Sequence, residues 1–323
     1  MNYEIHTDLA IEAAGLKNIP PGKSAEGIET TEYKKDYVSV TQVRVISGKG
    51  EELTGKPVGN YVTLEVPGLR DSISDAFDQA EQILTHELKK ILKLKPEQTV
   101  LVVGLGNRFV TPDALGPKVV DKLLVTRHLY GVLPDEITGN MNSLCAVAPG
   151  VLGITGIETG EIIKGIADKV KPDIIIAIDA LASRKTSRIS TTFQLADTGI
   201  VPGSGIGNKR KGLTEETLGI PVIAIGVPTV IEAAAVANDA IELLIEAVKS
   251  NCDEASPLYK AVYAFDNDNR YNLISEVLSP SASDLIVTPK EVDSIIDEVS
   301  KIIADSINEA VNGETAKKLG EIM

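Results

Sequence analysis

The chain has 323 residues, 43% of them hydrophobic and 24% charged, with 32 Lys and Arg against 46 Asp and Glu for a net charge of −14. That length and balance suit one large α/β domain, or a core with a sizeable insertion, and long disordered tails are not needed. The acidic excess argues against direct nucleic-acid binding, which needs a basic footprint to replace counterions; it serves solubility first, and it leaves room for a basic, DNA-binding substrate. No apolar run approaches the roughly 18–20 residues that cross a bilayer. Met1 to Asp8 has no basic stretch followed by an apolar one, so a secretory signal is not expected. Cys145 and Cys252 stand far apart in no metal or redox spacing and read as buried thiols of a reducing, cytoplasmic compartment.

In chain order, residues 37–46 (YVSVTQVRVI) are β-branched and strand-like, residues 47–50 (SGKG) supply a turn, and residues 59–66 (GNYVTLEV) give a second strand. Asp71 then caps a helix expected to run to about Leu94. Its Ile73, Ala76, Phe77, Ala80, Ile83, Leu84, Leu88, Ile91 and Leu92 fall at the three- and four-residue spacings of one buried stripe, with His86 off it. From Thr99 the pattern changes. Residues 99–104, 173–179 and 221–226 are short apolar runs of the kind covered on both faces, each followed by a helical or glycine-rich stretch. Such alternation predicts a parallel sheet with crossover helices. Residues 199–212 (GIVPGSGIGNKRKG) are too glycine-rich for a helix, and near the end Thr288 and Pro289 open a long amphipathic helix.

The densest local signal is VGLGNRFVTPDALGP, Val103 to Pro117. A buried strand ends in Gly104-Leu105-Gly106-Asn107, where glycines allow a sharp turn and close backbone approach. Thr111 stands as an N-cap with Pro112 in the first turn, which places Asp113 where helix amides favour a carboxylate. A plainer reading makes Asp113 an ordinary acidic residue at a helix start. Asp179 ends the apolar run from Ile174 to Ile178, where a charge is costly unless it is partnered or exposed at the carboxyl edge of the sheet. That edge is where parallel sheets build their sites. The plainer reading of Asp179 is a brace for the turn that follows, Ala180 to Arg184.

If the two strands are neighbours, both carboxylates converge on one crevice. Two close acids cannot easily both ionise, so one holds a proton while the other stays charged. Such a pair activates water without a thiol or a serine.

Other chemistries fit poorly. Gly104-Leu-Gly-Asn-Arg-Phe109 lacks the third glycine of the dinucleotide fingerprint, Gly203 to Lys209 has neither Walker spacing nor a Lys-Ser/Thr pair, and no Gly-x-Ser-x-Gly elbow is present. His6, His86 and His128 form no ligand cluster, so neither a cofactor nor a metal is expected. The basic residues Arg184, Lys209, Arg210 and Lys211 either meet acidic substrate side chains or solvate a loop.

Several blocks together resemble the spore germination proteases of endospore-forming bacteria: Thr7-Asp-Leu-Ala-Ile-Glu12, Gly104-Leu-Gly-Asn107 with Val110-Thr-Pro-Asp-Ala-Leu-Gly-Pro117, Asp179-Ala-Leu-Ala-Ser-Arg184, and residues 197–210. Gly219 to Thr229 and Val287 to Lys290 continue the similarity over nearly the whole chain. The resemblance implies an aspartate-dependent endopeptidase whose catalytic residues are Asp113 and Asp179. It implies a homotetramer in the spore core, acting on small acid-soluble spore proteins that coat DNA, with no membrane and no direct nucleic-acid partner.

It also implies a zymogen that removes its own leader. Family substrates are cut at a motif resembling Thr-Glu-(Phe or Ile)-Ala-x-Glu, which Thr7 to Glu12 imitates, so cleavage is expected between Asp8 and Leu9. Residues 1–8 are then a propeptide, short for the family. Residues 9–323 form a single α/β peptidase domain with an N-terminal β hairpin and a C-terminal helical tail. The expected fold is three-layer α/β, with a mostly parallel central sheet, helices on both faces and a small additional β element, resembling hydrogenase maturation endopeptidases.

Two alternatives stand beside this reading. Hydrogenase maturation endopeptidases share the strand–Gly-x-Gly-Asn–helix arrangement and hold nickel with an acidic pair and a histidine, but no histidine here lies in a matching downstream motif. A non-catalytic binding protein would use Asp113 and Asp179 only as caps.

Overall fold

The computed structural model describes residues 9–12, 24–25, 27–130, 132, 141–201, 212–253, 256–257, 260, 267–278 and 285–320. The first described strands are β1 (Ser24–Ala25), β2 (Ile28–Lys35) and β3 (Val38–Val45), an antiparallel ladder. In β3 the two-residue alternation is used on both faces. Val38 and Val40 join the main core, while Val43 and Val45 pack on the opposite side with Tyr61. Where a turn was expected after Ser47, a short helix forms instead, α1 (Gly48–Thr54), before β4 (Gly59–Glu65).

Helix α2 (Ser74–Leu92) buries Ala76, Ala80, Ile83, Leu84, Leu88 and Leu92 of the expected stripe and half-buries Phe77 and Ile91, while Ile73 and His86 are exposed. Its start is not the one expected: the N-cap is Ile73, with no side-chain cap bond, so Asp71 lies outside the helix.

The alternating half of the chain then follows as β5 (Thr99–Gly104), α3 (Leu115–Lys122), β6 (Ser143–Val147), α4 (Leu152–Thr155), α5 (Thr159–Val170), β7 (Ile174–Ser183) and β8 (Thr192–Ala196). It continues through α6 (Glu215–Leu218), β9 (Val222–Glu232), α7 (Ala233–Asn251), α8 (Asn267–Leu278), β10 (Ile286–Val287) and α9 (Val292–Gly320). Thr288 and Pro289 precede α9 rather than open it.

Among the described residues, ten strands share one sheet in the order β1-β2-β3-β4-β8-β9-β7-β5-β6, with β10 beside β9. The four strands β6, β5, β7 and β9 are parallel, and the rest attach antiparallel. The expected parallel α/β unit is present, and β8 joins it to the antiparallel wing through β4.

The parallel strands are sealed on both faces, which is why their sequences are continuously apolar. Leu84 and Leu88 of α2, Leu115 and Val119 of α3, and Ile303 and Ile307 of α9 pack with Ile176, Ile178, Phe193 and Ile225. Leu101, Val103, Ile175 and Ala177 project to the other face, where Ile163 and Ala167 of α5 cover them. Asn142 ties this unit to α9: its side-chain amide donates to the Val311 carbonyl at 2.8 Å and its side-chain oxygen accepts from the Gln98 amide at 3.0 Å.

The two thiols are half-buried rather than buried. Burial pushes the Cys145 thiol above its ordinary value, with the Arg127 charge acting the other way. Residues 202–211, most of the glycine-rich loop, lie outside the described residues.

Candidate active site

Strands β5 and β7 are parallel neighbours, with Gly104 opposite Ile178 and the Leu105 amide donating to the Ile178 carbonyl at 2.8 Å. The segments carrying the two aspartates therefore meet at the carboxyl edge of the sheet. Their local settings differ from those expected. Thr111–Asp113 is a separate 3-10 turn with Val110 as its N-cap, and α3 begins only at Leu115. Asp113 is thus held by the glycine loop: its Oδ2 accepts from the Asn107 amide at 2.8 Å.

Gly106 makes this approach possible. Its φ of +109° lies in the region open to glycine, and a Cβ there would overlap the Asp113 carbonyl oxygen and come within 2.9 Å of Oδ1. The turn is pinned from two sides. Thr229 Oγ1 on β9 donates to the Pro112 carbonyl at 2.7 Å, and Thr111 Oγ1 donates to Asp293 of α9 at 2.9 Å.

Asp179 is 6% exposed and lies inside β7, which continues to Ser183 instead of stopping at the aspartate. Its Oδ1 accepts from the Ala180 amide at 3.0 Å. In register it stands opposite Gly226 of β9, and Gly226 stands opposite Gln194 of β8. Residues paired directly across strands project to the same face, so Asp179 and Gln194 share a row with a glycine between them. That row spans two strand spacings, about 10 Å. Beside it a cavity of about 250 Å³ is lined by Tyr61, Leu181, Gln194, Thr214, Ala224 and Gly226. Burial pushes the Tyr61 phenol up to about 12, so it stays a neutral donor, here to the Pro57 carbonyl at 2.8 Å.

The start of the described chain lies on this same face. Leu9 and Ala10 are buried, residues 10–12 make a helical turn, and Ala10 packs with Tyr61, Ala196 and Ala224. The Ala10 amide donates to Gln194 Oε1 at 2.6 Å, the residue in the row of Asp179.

The family model described as germination protease matches residues 7–262 and 256–321. The chain belongs to the germination protease family. It is 48% identical to the germination protease of Clostridium acetobutylicum over 98% of both chains, and 46% identical to that of Clostridium tetani over 95% of both. The germination protease of Bacillus subtilis is 39% identical, covering 98% of this chain and 95% of that one. Among solved structures, the NiFe hydrogenase maturation protease HycI from Thermococcus kodakarensis KOD1 aligns with 71% of this chain and 98% of its own, at 17% identity and a TM-score of 0.34.

As a germination protease family member the chain is a peptidase, a hydrolase. Of the residues singled out beforehand, Asp113 and Asp179 lie on or beside the carboxyl edge of the sheet, and Leu9 is buried. Asp8, His6 and Lys209 to Lys211 fall outside the described residues. Among the described residues no three His, Cys, Asp or Glu side chains are grouped as a metal ion would require, and no helix is long and apolar enough to cross a membrane. His86 and His128 are both exposed.

Sequence reasoning missed Gln194, Arg188 and the anchoring of Glu12. The Glu12 carboxylate, almost fully buried, accepts from Arg188 Nη1 at 3.1 Å and from the Arg184 amide at 3.1 Å, with Ser183 Oγ 3.2 Å away. Burial works against the Arg188 cation, but Glu65 and Glu12 more than offset it, so the guanidinium is held above its ordinary value. The signal available beforehand was the run of basic residues after Asp179, Arg184-Lys185-Thr186-Ser187-Arg188.

Proposed function

We propose that Asp113 and Asp179 form the catalytic pair of a self-processing endopeptidase. What carries the reading is the shared edge. Asp113 belongs to the loop that follows β5, Asp179 lies one residue past the last β5–β7 pair, and the chain's own Ala10 is seated on the face to which Asp179 projects.

In this reaction one aspartate is charged and the other protonated. The charged group takes a proton from water as the water oxygen bonds to the amide carbon. The protonated group donates to the carbonyl oxygen and then transfers its proton to the nitrogen as the C–N bond breaks. The pair titrates as a unit, so the roles belong to the dyad. Gly226 has no side chain of its own between Asp179 and Gln194, and the Leu181 side chain packs over it, where a Cβ would come within 2.3 Å of Cδ1.

Residues 1–8 are a propeptide, and cleavage falls between Asp8 and Leu9. Sequencing the matured chain should read Leu-Ala-Ile-Glu; a chain that keeps Met1 after incubation under activating conditions argues against self-processing.

The remaining 9–323 is one peptidase domain that works as a homotetramer in the cytoplasm of the spore core and cuts small acid-soluble spore proteins. This part of the reading rests on the resemblance, and the net charge of −14 suits basic substrates. The matured chain should digest such a protein while light scattering gives four chain masses. A chain that leaves it intact, or that scatters as a monomer, contradicts this. The same digestion should survive a chelator within about twofold, since an aspartate dyad needs no cation; activity lost to chelation and restored by nickel would favour the metal-dependent alternative.

A further inference from the structure

We infer that the outward side of α5 is a self-complementary interface, on which two copies of this chain pair their α5 helices antiparallel about a two-fold axis near Gly165. The inference rests on the reading that the chain assembles and adds the surface through which two copies meet.

Helix α5 has a covered side and an open one. Ile163 and Ala167 are buried against Leu101, Val103, Ile175 and Ala177 of the sheet. The open side carries two rows at four-residue spacing. Ile162, Ile166 and Val170 are half-buried, and Glu161, Gly165 and Lys169 are exposed. These rows line a groove of about 530 Å³, and Ile157, 48% exposed, completes its lining. The groove shares no residue with the cavity beside Asp179. Gly165 has no purpose within one chain. Glycine in a helix interior weakens the helix, and a Cβ at this position would meet no atom within 4 Å. Close approach of a second backbone is what a glycine here allows.

The charges identify the partner. Lys164 and Asp168 pair with each other along the helix at 3.0 Å. Glu161 and Lys169, in contrast, make no ion pair among the described residues. They stand four residues on either side of Gly165, about 6 Å along the axis in each direction. A two-fold axis at Gly165 therefore sets Glu161 of each copy against Lys169 of the other, the reciprocal contact that such symmetry requires. Antiparallel helix dipoles favour the same arrangement. The four-residue rows can then interdigitate, with the apolar row of one copy in the groove of the other. With a net charge of −14 two copies repel each other, so they meet best on a face whose charges cancel. Complementing the dipole of its own helix would account for Glu161 and Lys169 separately. It would account for neither the glycine between them nor the open apolar row.

The test is a charge exchange, read by light scattering and sedimentation over a concentration series. Glu161→Lys and Lys169→Glu each bring like charges together at both symmetry-related contacts. Either variant should raise the concentration at which the assembly falls to half its mass by roughly 10- to 100-fold. Mixed in equal amounts, the two variants should recover wild-type assembly within about threefold, because every charge again faces its opposite. A variant damaged in folding could not show that recovery. Gly165→Gln adds a side chain where the chain itself has open space, so it should keep its far-UV circular dichroism and still weaken assembly about tenfold or more. Wild-type assembly in the single variants, or no recovery on mixing, overturns the interface and leaves the assembly reading intact. A wild-type chain that stays single at every concentration overturns both.

Discussion

Replacing Asp113 or Asp179 singly by Asn is expected to lower kcat/KM on a peptide carrying the Thr7-to-Glu12 motif by about 10²- to 10⁴-fold, with the fold retained. Asn is nearly isosteric and keeps an acceptor oxygen. The Asn107 amide can still be satisfied in Asp113→Asn, and the Ala180 amide in Asp179→Asn. What Asn cannot do is accept a proton from water or return one to the leaving nitrogen. Thermal melts close to wild type beside the lost rate would assign the effect to chemistry. Wild-type rates in either variant would remove that aspartate from the mechanism. The same variants should fail to cut their own leader and keep Met1.

Gly106→Ala should produce the second large effect, through geometry. At φ +109° an alanine is strained, and its Cβ would overlap the Asp113 carbonyl, a backbone atom that cannot rotate away. The turn Thr111–Asp113 must then shift, although Thr229 and Asp293 pin it. A displacement near 1 Å in a catalytic group costs on the order of 10²-fold in rate, and a stability loss of about 1–3 kcal/mol should accompany it. Gly156→Ala serves as the control. It too has a left-handed φ, +69°, but open space where the Cβ would sit, so it should lose about 1 kcal/mol and no activity. Equal kinetics in the two variants would show that the Gly106 backbone does not position Asp113.

Much of the fold was legible because burial leaves a local signature. The stripe of α2 and the runs of β5, β7 and β9 reflect how many faces of each element are covered, and that alone sets their periodicity. Ends were harder to read. The continuation of β7 past Asp179 to Ser183 follows from its pairing with β9, in which Ser183 lies opposite Ile231. Nothing within the run Ala180 to Ser183 announces a strand. Thr111-Pro112-Asp113 has the residue types of a helix start, yet it forms its own turn because the Asn107 amide and Thr229 hold it apart from α3.

The site was half legible for the same reason. Asp179 stands out as a charge within an apolar run, and Asp113 lies in a glycine-bounded loop, so local chemistry marks both. Gln194 carries no such mark, Arg188 only its place in a basic run, and Glu12 only its place at the end of the Thr7-to-Glu12 motif. Their roles arise from strand order, since β8 lies beside β9 two strands from Asp179, and from the long-range pairing of Glu12 with Arg188, 176 residues away.

Two carboxylates that share one water act as a unit, so losing the second should cost little once the first is gone. The most direct measurement is kcat/KM for the Asp113→Asn/Asp179→Asn double variant beside both singles on one peptide. The double variant is predicted to lie within about threefold of the slower single. A loss equal to the product of the two single losses would mean that the aspartates act independently, and would contradict a shared catalytic pair.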